Sequence, residues 1–399
     1  MKILQLCNKP PLPSVDGGCI AMKAAADAIL FGENELKILA IETSKHPFEI
    51  PEKKNSFLIS TQLETIFVDT AVKPMDAFLN LFSGESYNVS RFWSVDFNEK
   101  LIRILEAEKF DVIQLESIYV APYIQTIRTF SKDSKIVLRA HNSEHQIWLK
   151  SALNEKNPLK SFYFKILANR LKKYEKEVLK KVDAVAAISK DDAKKLTELN
   201  QIPLLKTIPV NIDIYPANEI QKKETSLFFI GALDWHPNLE GLNWFLKEVW
   251  PKINKQLPYL KFHVAGKNMP HKMKNSKIAG VVFKGEIKDS IDFMNCNKIM
   301  VVPLFSGSGI RVKILEAMSR GKAIISTSLG VEGIGCKKDE NILIADNVEQ
   351  FVAETIKCIN NPEFCTELGI NAVKFVEANF STQTIANRYN ELYQELIKQ

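Results

Sequence analysis

The chain has 399 residues, 46% hydrophobic and 25% charged, enough for two or three domains with full-sized cores and unlike a disordered chain. Lys and Arg number 53 against 47 Asp and Glu, and the resulting charge of +6 is mild and concentrated between Lys160 and Lys181. A nucleic-acid binder needs a stronger, more continuous basic field; a basic helical face of this kind suits solvent, with contact to an anionic membrane surface as its alternative use.

In chain order, short β-rich runs alternate with longer helical patterns. MKILQLC supplies a strand at 3–7 and then reaches Asn8-Lys9-Pro10-Pro11, too soon for a signal peptide. Further strands are expected at 37–41, 111–115, 135–139, 184–188 and 204–208. Residues 42–96 are Phe-rich and fit worst, reading as loops or small helices. "PVNIDIYPANEIQKKET" at 209–225 carries two prolines and a charged end, and reads as a linker. Beyond it, strands are expected at 227–231, 262–266, 281–283, 299–304, 323–327 and 342–345, before a last helix at about 382–399. Near-continuous apolar strands suit parallel sheets covered on both faces, so the expected class is α/β with two doubly wound domains, 1–208 and 226–381. Periodicity leaves open which domain takes the last helix. No apolar run approaches the roughly 20 residues of a membrane span. The six cysteines form no CxxC pair, and no DxD motif or metal-ligand cluster stands out. Free thiols in a cytoplasmic protein, with no metal and no cofactor, are expected.

The most informative stretch is "VPLFSGSGIRVKILEAMSRG" at 302–321. In an open parallel sheet, ligands collect where strands run into helices at the carboxyl edge. Gly307 and Gly309 let backbone approach a ligand, and a helix starting near Ile310 would aim free amides and its positive end at an anion. Arg311 and Lys313 add full charges. Glu316 lies about 10 Å of helical rise beyond Gly309, the span from a diphosphate to its ribose. The plainer alternative is a Lys313–Glu316 surface pair after an ordinary turn.

"PLFSGSGIRVKILEAMSRGKAIISTSLGVEGI" resembles the signature of GT-B glycosyltransferases of the retaining kind classed as family 4, in a subgroup with GSGIRVK. The resemblance covers most of the chain. It implies two Rossmann-like domains facing a cleft, the second holding a nucleoside-diphosphate sugar (a UDP- or GDP-sugar) and the first an acceptor. It also implies a final helix returning to the first domain. The family carries two glutamates eight positions apart; Glu316 matches the second, and Ser308 stands at the first. The loop 231–238, "GALDWHPN", lacks the Arg and Lys that many relatives use on the phosphates, so Arg311 and Lys313 are expected to replace them.

In the first half, "PPLPSVDGG" leads into a glycine helix start, and the resemblance makes Gly17 and Gly18 donor contacts. "LRAHNSEH" leaves the strand at 135–139, and His141 matches the position that hydrogen-bonds the donor sugar. Asn142, Glu144 and Glu116 are candidates for the acceptor side; His145 reads as structural, and Ser189 with Asp192 as a helix cap. In the second half, Asn238 is a candidate for phosphate, Gly266 and Gly285 for a backbone wall around the base, and Ser308, Gly309 and Ile310 for the donor itself. Glu332, in "SLGVEG", is a further candidate.

The implied activity is transfer of a sugar to a hydroxyl of a glycan or lipid-linked acceptor, without a metal, in cell-surface polysaccharide or glycan assembly, on the cytoplasmic side and at the inner face of the membrane if the basic helix docks there. A GT-B epimerase or phosphorylase and a non-catalytic nucleotide-sugar-binding subunit are the alternatives. A Ser-His-Asp hydrolase is disfavoured because GxSxG is absent, and a dinucleotide dehydrogenase because the first strand leads to PPLPSVDGG rather than GxGxxG.

Overall fold

The computed structural model describes residues 1–49, 55–73, 80, 85–215, 226–307 and 309–398. Most of the expected linker's second half (216–225) and the candidate donor residue Ser308 lie outside these described residues. The chain divides into two compact units, Met1–Asn211 with Thr382–Gln399, and Ile212–Ser381.

The first unit holds a seven-stranded sheet in the order β3-β2-β1-β4-β5-β6-β7, every pair parallel. Its strands are β1 (Lys2–Cys7), β2 (Glu35–Glu42), β3 (Glu64–Phe67), β4 (Val112–Glu116), β5 (Lys135–Ala140), β6 (Ala184–Ala187) and β7 (Leu205–Thr207). Successive side chains point to opposite faces. Leu4, Leu6, Ile113 and Leu115 therefore enter one core, while Ile3, Cys7, Val112 and Val137 enter the other. The second core is completed by the helix Thr382–Ile397, whose Ile385, Tyr389, Leu392 and Tyr393 recur at helical spacing and are fully buried. β3 was not foreseen. Its four residues are short, at the sheet edge and only half-buried, so they carry no apolar run to read.

The second unit has a six-stranded parallel sheet in the order β10-β9-β8-β11-β12-β13. These strands are β8 (Leu227–Ile230), β9 (Phe262–Ala265), β10 (Val281–Gly285), β11 (Ile299–Val302), β12 (Ala323–Ser326) and β13 (Leu343–Ile344). Again the two faces separate, with Phe229, Val264 and Val301 on one side and Phe228, Ile230 and Met300 on the other. In each sheet the order reverses beside the first strand, at β1/β4 and at β8/β11. The carboxyl ends at such reversals leave a crevice that connecting helices do not fill, which is where open α/β sheets bind ligands. Among the described residues no helix is long and apolar enough to cross a membrane.

Candidate functional site

At the β8/β11 reversal, the loops 231–238 and 303–311 come together over one guanidinium. Gly307 and Gly309 have φ of 111° and 83°, in the left-handed region open to glycine. A Cβ on Gly307 would lie 3.0 Å from the Trp235 ring and 3.3 Å from Arg311 Nη2, so its absence lets indole and guanidinium close over the loop. The Arg311 guanidinium carbon lies 5.8 Å from the Trp235 ring centroid, and Nη1 donates to the Gly309 carbonyl. Nε and Nη2 are buried with no hydrogen-bond partner among the described residues. Burial lowers the Arg311 pKa from its ordinary range, and Glu332 opposes that shift. Two buried charged donors without acceptors are costly. An anion placed against them relieves that cost.

Three details differ from the sequence reading. The helix runs Val312–Met318, starting at Val312 rather than near Ile310, because Arg311 takes the N-cap with φ −86° and ψ 85°. Ile310 instead packs, half-buried, against the apolar cluster that includes Ile314, Leu315 and Met318. With only seven helical residues, attraction for an anion here rests on Arg311 more than on a helix end. Second, Lys313 and Glu316 do form the surface pair, at 2.8 Å, with Lys313 Nζ also 3.4 Å from Ser290 Oγ. A part-exposed pair of this kind is worth less than about 1 kcal/mol, so a phosphate and a ribose can take over its two ends. Third, Asn238 Nδ2 donates to the Ala232 carbonyl at 2.9 Å and closes its own loop. Gly266 is held by tight packing, since a Cβ there would lie 2.1 Å from the Gly231 carbonyl oxygen, and its amide donates to Gly285 at 2.8 Å. Gly285 sits at φ 68° beside a register shift between Phe283 and Gly285.

The first unit assembles a buried polar network at the ends of β4 and β5. Glu116 Oε1 accepts from Gln5 and Gln114, both at 2.7 Å, and its Oε2 lies 2.6 Å from His141 Nε2 and 3.6 Å from Arg139 Nη1. Arg139 Nε donates to the Tyr389 hydroxyl at 2.5 Å, and the Tyr393 hydroxyl donates to Gln114 at 2.6 Å. Burial opposes the Glu116 charge, but Arg139 and the hydrogen bonds from His141 and Gln114 hold its pKa below the ordinary range. Burial lowers the His141 pKa despite that carboxylate. Glu116 only accepts, so the proton of a neutral His141 sits on Nε2 and leaves Nδ1 as an acceptor. Ser117, next in the chain, is held at φ 83°, a backbone strain of the kind that clusters at functional sites.

Nearby, Glu175 accepts from the amides of Glu144 (2.8 Å) and His145 (3.2 Å) and meets His145 Nδ1 at 2.5 Å, capping the helix Glu144–Asn154. His145 is thus structural, and Ser189 caps its helix by accepting from Asp192 at 3.0 Å. Glu144 accepts from the Tyr119 hydroxyl at 3.0 Å, and its pKa is raised to about 7, chiefly by burial and further by Glu175, against hydrogen bonds from Tyr119 and Asn142. A folded pKa above the ordinary 4.5 means that the folded chain holds the proton more tightly. The cost to stability is absent below pH 4.5, grows as pH rises and is complete above about 7. Glu144→Gln is therefore expected to stabilise the first unit by about 1–3 kcal/mol at pH 8 and by nothing at pH 4. Denaturant unfolding at the two pH values checks this, and an equal effect at both would contradict it.

After β1, Asp16 caps the helix Gly17–Phe31 through the Cys19 amide, and binds Lys9 Nζ at 2.7 Å and His46 Nε2 at 3.0 Å. Burial raises the Asp16 pKa, but these bonds hold it well below the carboxylate range. Nothing lies within 4 Å of a Cβ built on Gly17, whereas Lys9 Nζ would be 2.7 Å from one on Gly18. No ligand cluster stands out along the sequence, yet the fold brings Asp16, Cys19 and His46 together, with ligating atoms within 4.8 Å of one another. Spacing hid the trio, because His46 arrives from the loop after β2. The Lys9 ammonium already supplies Asp16 with a cation. Lys9, Asp16, Arg139, Glu175, Tyr389 and Tyr393 were all missed, although Arg139 left a signal: a charge inside an otherwise apolar strand must find a partner.

Residues 224–361 match the model of the family described as "Glycosyl transferases group 1". An uncharacterized 44.6 kDa protein in the cps region of Klebsiella pneumoniae is 28% identical over 303 residues, 73% of this chain and 76% of that protein. Among solved structures, sucrose-phosphate synthase from Thermosynechococcus elongatus matches with a TM-score of 0.70 at 15% identity, covering 100% of both chains. HepE of Anabaena, crystallised with UDP, matches with a TM-score of 0.64 at 12% identity over 99% of this chain and 100% of that one. At such identities the likeness concerns the fold, and the fold is that of these proteins: two Rossmann-like parallel-sheet domains, the GT-B arrangement.

Proposed function

We propose that the chain is a retaining GT-B glycosyltransferase of the group 1 kind, whose second unit holds a nucleoside-diphosphate sugar, UDP- or GDP-linked. The observation that carries this reading is Arg311, whose buried Nε and Nη2 have no acceptor among the described residues, at a loop end that belongs to the segment matching the family. The diphosphate binds there, its ribose takes Glu316, and Lys313 turns from Glu316 to the phosphates. As the bond from the anomeric carbon to the phosphate oxygen breaks, the bond to the acceptor oxygen forms, and the acceptor's proton passes to the leaving diphosphate. Arg311 and Lys313 stabilise the charge that develops, so the step needs no metal. The resemblance assigns His141, Gly17 and Gly18 to the donor, and Asn142, Glu144 and Glu116 are the candidates for the acceptor, a glycan or lipid-linked hydroxyl of surface polysaccharide assembly.

Membrane contact at the cytoplasmic face has support in the first unit, where Leu153, Leu159 and Phe162 are 69%, 80% and 65% exposed beside the exposed Lys156 and Lys160. Ser308, where the family has a glutamate, favours a second reading, a binding subunit without turnover. Incubation of the purified protein with UDP-, GDP- and ADP-sugars, with and without a pool of glycan acceptors, separates the two. The expected result is release of one nucleoside diphosphate, accelerated by acceptor. Binding of a donor with no release under any condition would favour the subunit, and failure to bind any of them would remove the proposal.

A further inference from the structure

The first unit carries another unsatisfied cation, well away in sequence from the residues given roles above. The exit loops of three adjacent strands, β1, β2 and β3, enclose a cavity of about 470 Å³ on the carboxyl edge. Its wall includes Lys9 after β1, Lys45 and His46 after β2, Thr70 after β3, and Arg91 with Phe92. Arg91 is fixed at one end, Nη1 donating to the Thr70 carbonyl at 3.1 Å and the guanidinium lying 5.6 Å from the Phe92 ring centroid. Its Nε is buried with no partner among the described residues. None of the described residues lining the cavity is acidic. Asp16 stands behind the wall, where its bonds to Lys9 and His46 hold both in place. Lys9 and Arg91, both held in place, and the exposed Lys45 stand against one carboxylate and leave an excess of positive charge facing a space larger than a single ion needs.

We propose that this cavity binds a phosphate group carried by the acceptor, making a phosphorylated sugar or lipid-linked phosphate the acceptor class. Lys9, Lys45 and Arg91 line the space from three separate stretches of chain, and three cationic donors match the three oxygens of a phosphate better than the two of a carboxylate. Naming the ligand an acceptor rests on the glycosyltransferase reading; the binding of phosphate does not.

The test titrates the full chain with glycerol 3-phosphate, and with glycerol and glucuronate at equal ionic strength, by calorimetry. The proteins are wild type, Arg91→Gln/Lys45→Gln, Lys45→Gln alone and Arg311→Gln, with UDP and GDP titrated in parallel. The double substitution is expected to weaken glycerol 3-phosphate about tenfold or more while nucleotide binding is retained. Arg311→Gln is expected to do the reverse. Should the double variant unfold, Lys45→Gln, on an exposed side chain, must still weaken the phosphate and flatten its salt dependence. Phosphate binding unchanged by the Arg91 and Lys45 substitutions, or glucuronate bound as tightly as glycerol 3-phosphate, would overturn the proposal. Nucleotide binding indifferent to Arg311→Gln would instead count against the donor site and leave this cavity standing.

Discussion

Arg311→Gln is expected to lower donor turnover by about 10²–10³-fold, the usual cost of removing one fixed donor from a developing negative charge. The same substitution should leave the ligand-free protein as stable as wild type, or more so. In the free chain the guanidinium is buried against Trp235, with Nη1 bonded to the Gly309 carbonyl and Nε and Nη2 unmatched among the described residues, so its loss trades one hydrogen bond for relief of two unpaired buried donors. A residue held for stability alone would behave in the opposite way: its loss would lower the melting temperature and leave turnover per folded molecule intact. Thermal unfolding with and without nucleoside diphosphate, together with initial rates, separates the two.

Glu116→Ala is expected to destabilise the first unit by about 3–5 kcal/mol at pH 7, the range for removing one member of a buried charge pair. Arg139 would keep its charge at zero exposure, with Tyr389 as its remaining strong partner, while Gln5, Gln114 and His141 would each lose an acceptor. The pH dependence follows from the depressed Glu116 pKa. The carboxylate's contribution is fully present above its ordinary 4.5 and is lost as pH falls through the lower folded value, so wild type and variant should converge in strong acid. Hydrogen exchange of the β4 and β5 amides reads this unit directly. A difference below about 1 kcal/mol at neutral pH would mean that the network is not held together by its charge.

Both sheets were legible because their central strands are buried on both faces and read as unbroken apolar runs, as in ILQLC and IMVVPL. β3 was not, being a half-buried edge strand with no such run. The glycine loop and the charges after it were legible for a different reason: paired glycines, Arg311 and Lys313 stand within a few residues of one another. What local reading missed is what folding brings from afar. Tyr389 reaches Arg139 across 250 positions, and Asp16 reaches His46 across 30. The helix start was placed too early because the pattern gave no sign that Arg311 would turn back onto Gly309 and occupy the cap.

A structure of the protein with UDP or GDP, whichever stabilises it, tests the central claim most directly. The expected result is a diphosphate oxygen within hydrogen-bond distance of Arg311 Nε or Nη2, with Lys313 released from Glu316 and a ribose hydroxyl on that carboxylate. A nucleotide seated elsewhere, with Arg311 still folded onto the Gly309 carbonyl and its other nitrogens unmatched, would contradict the account.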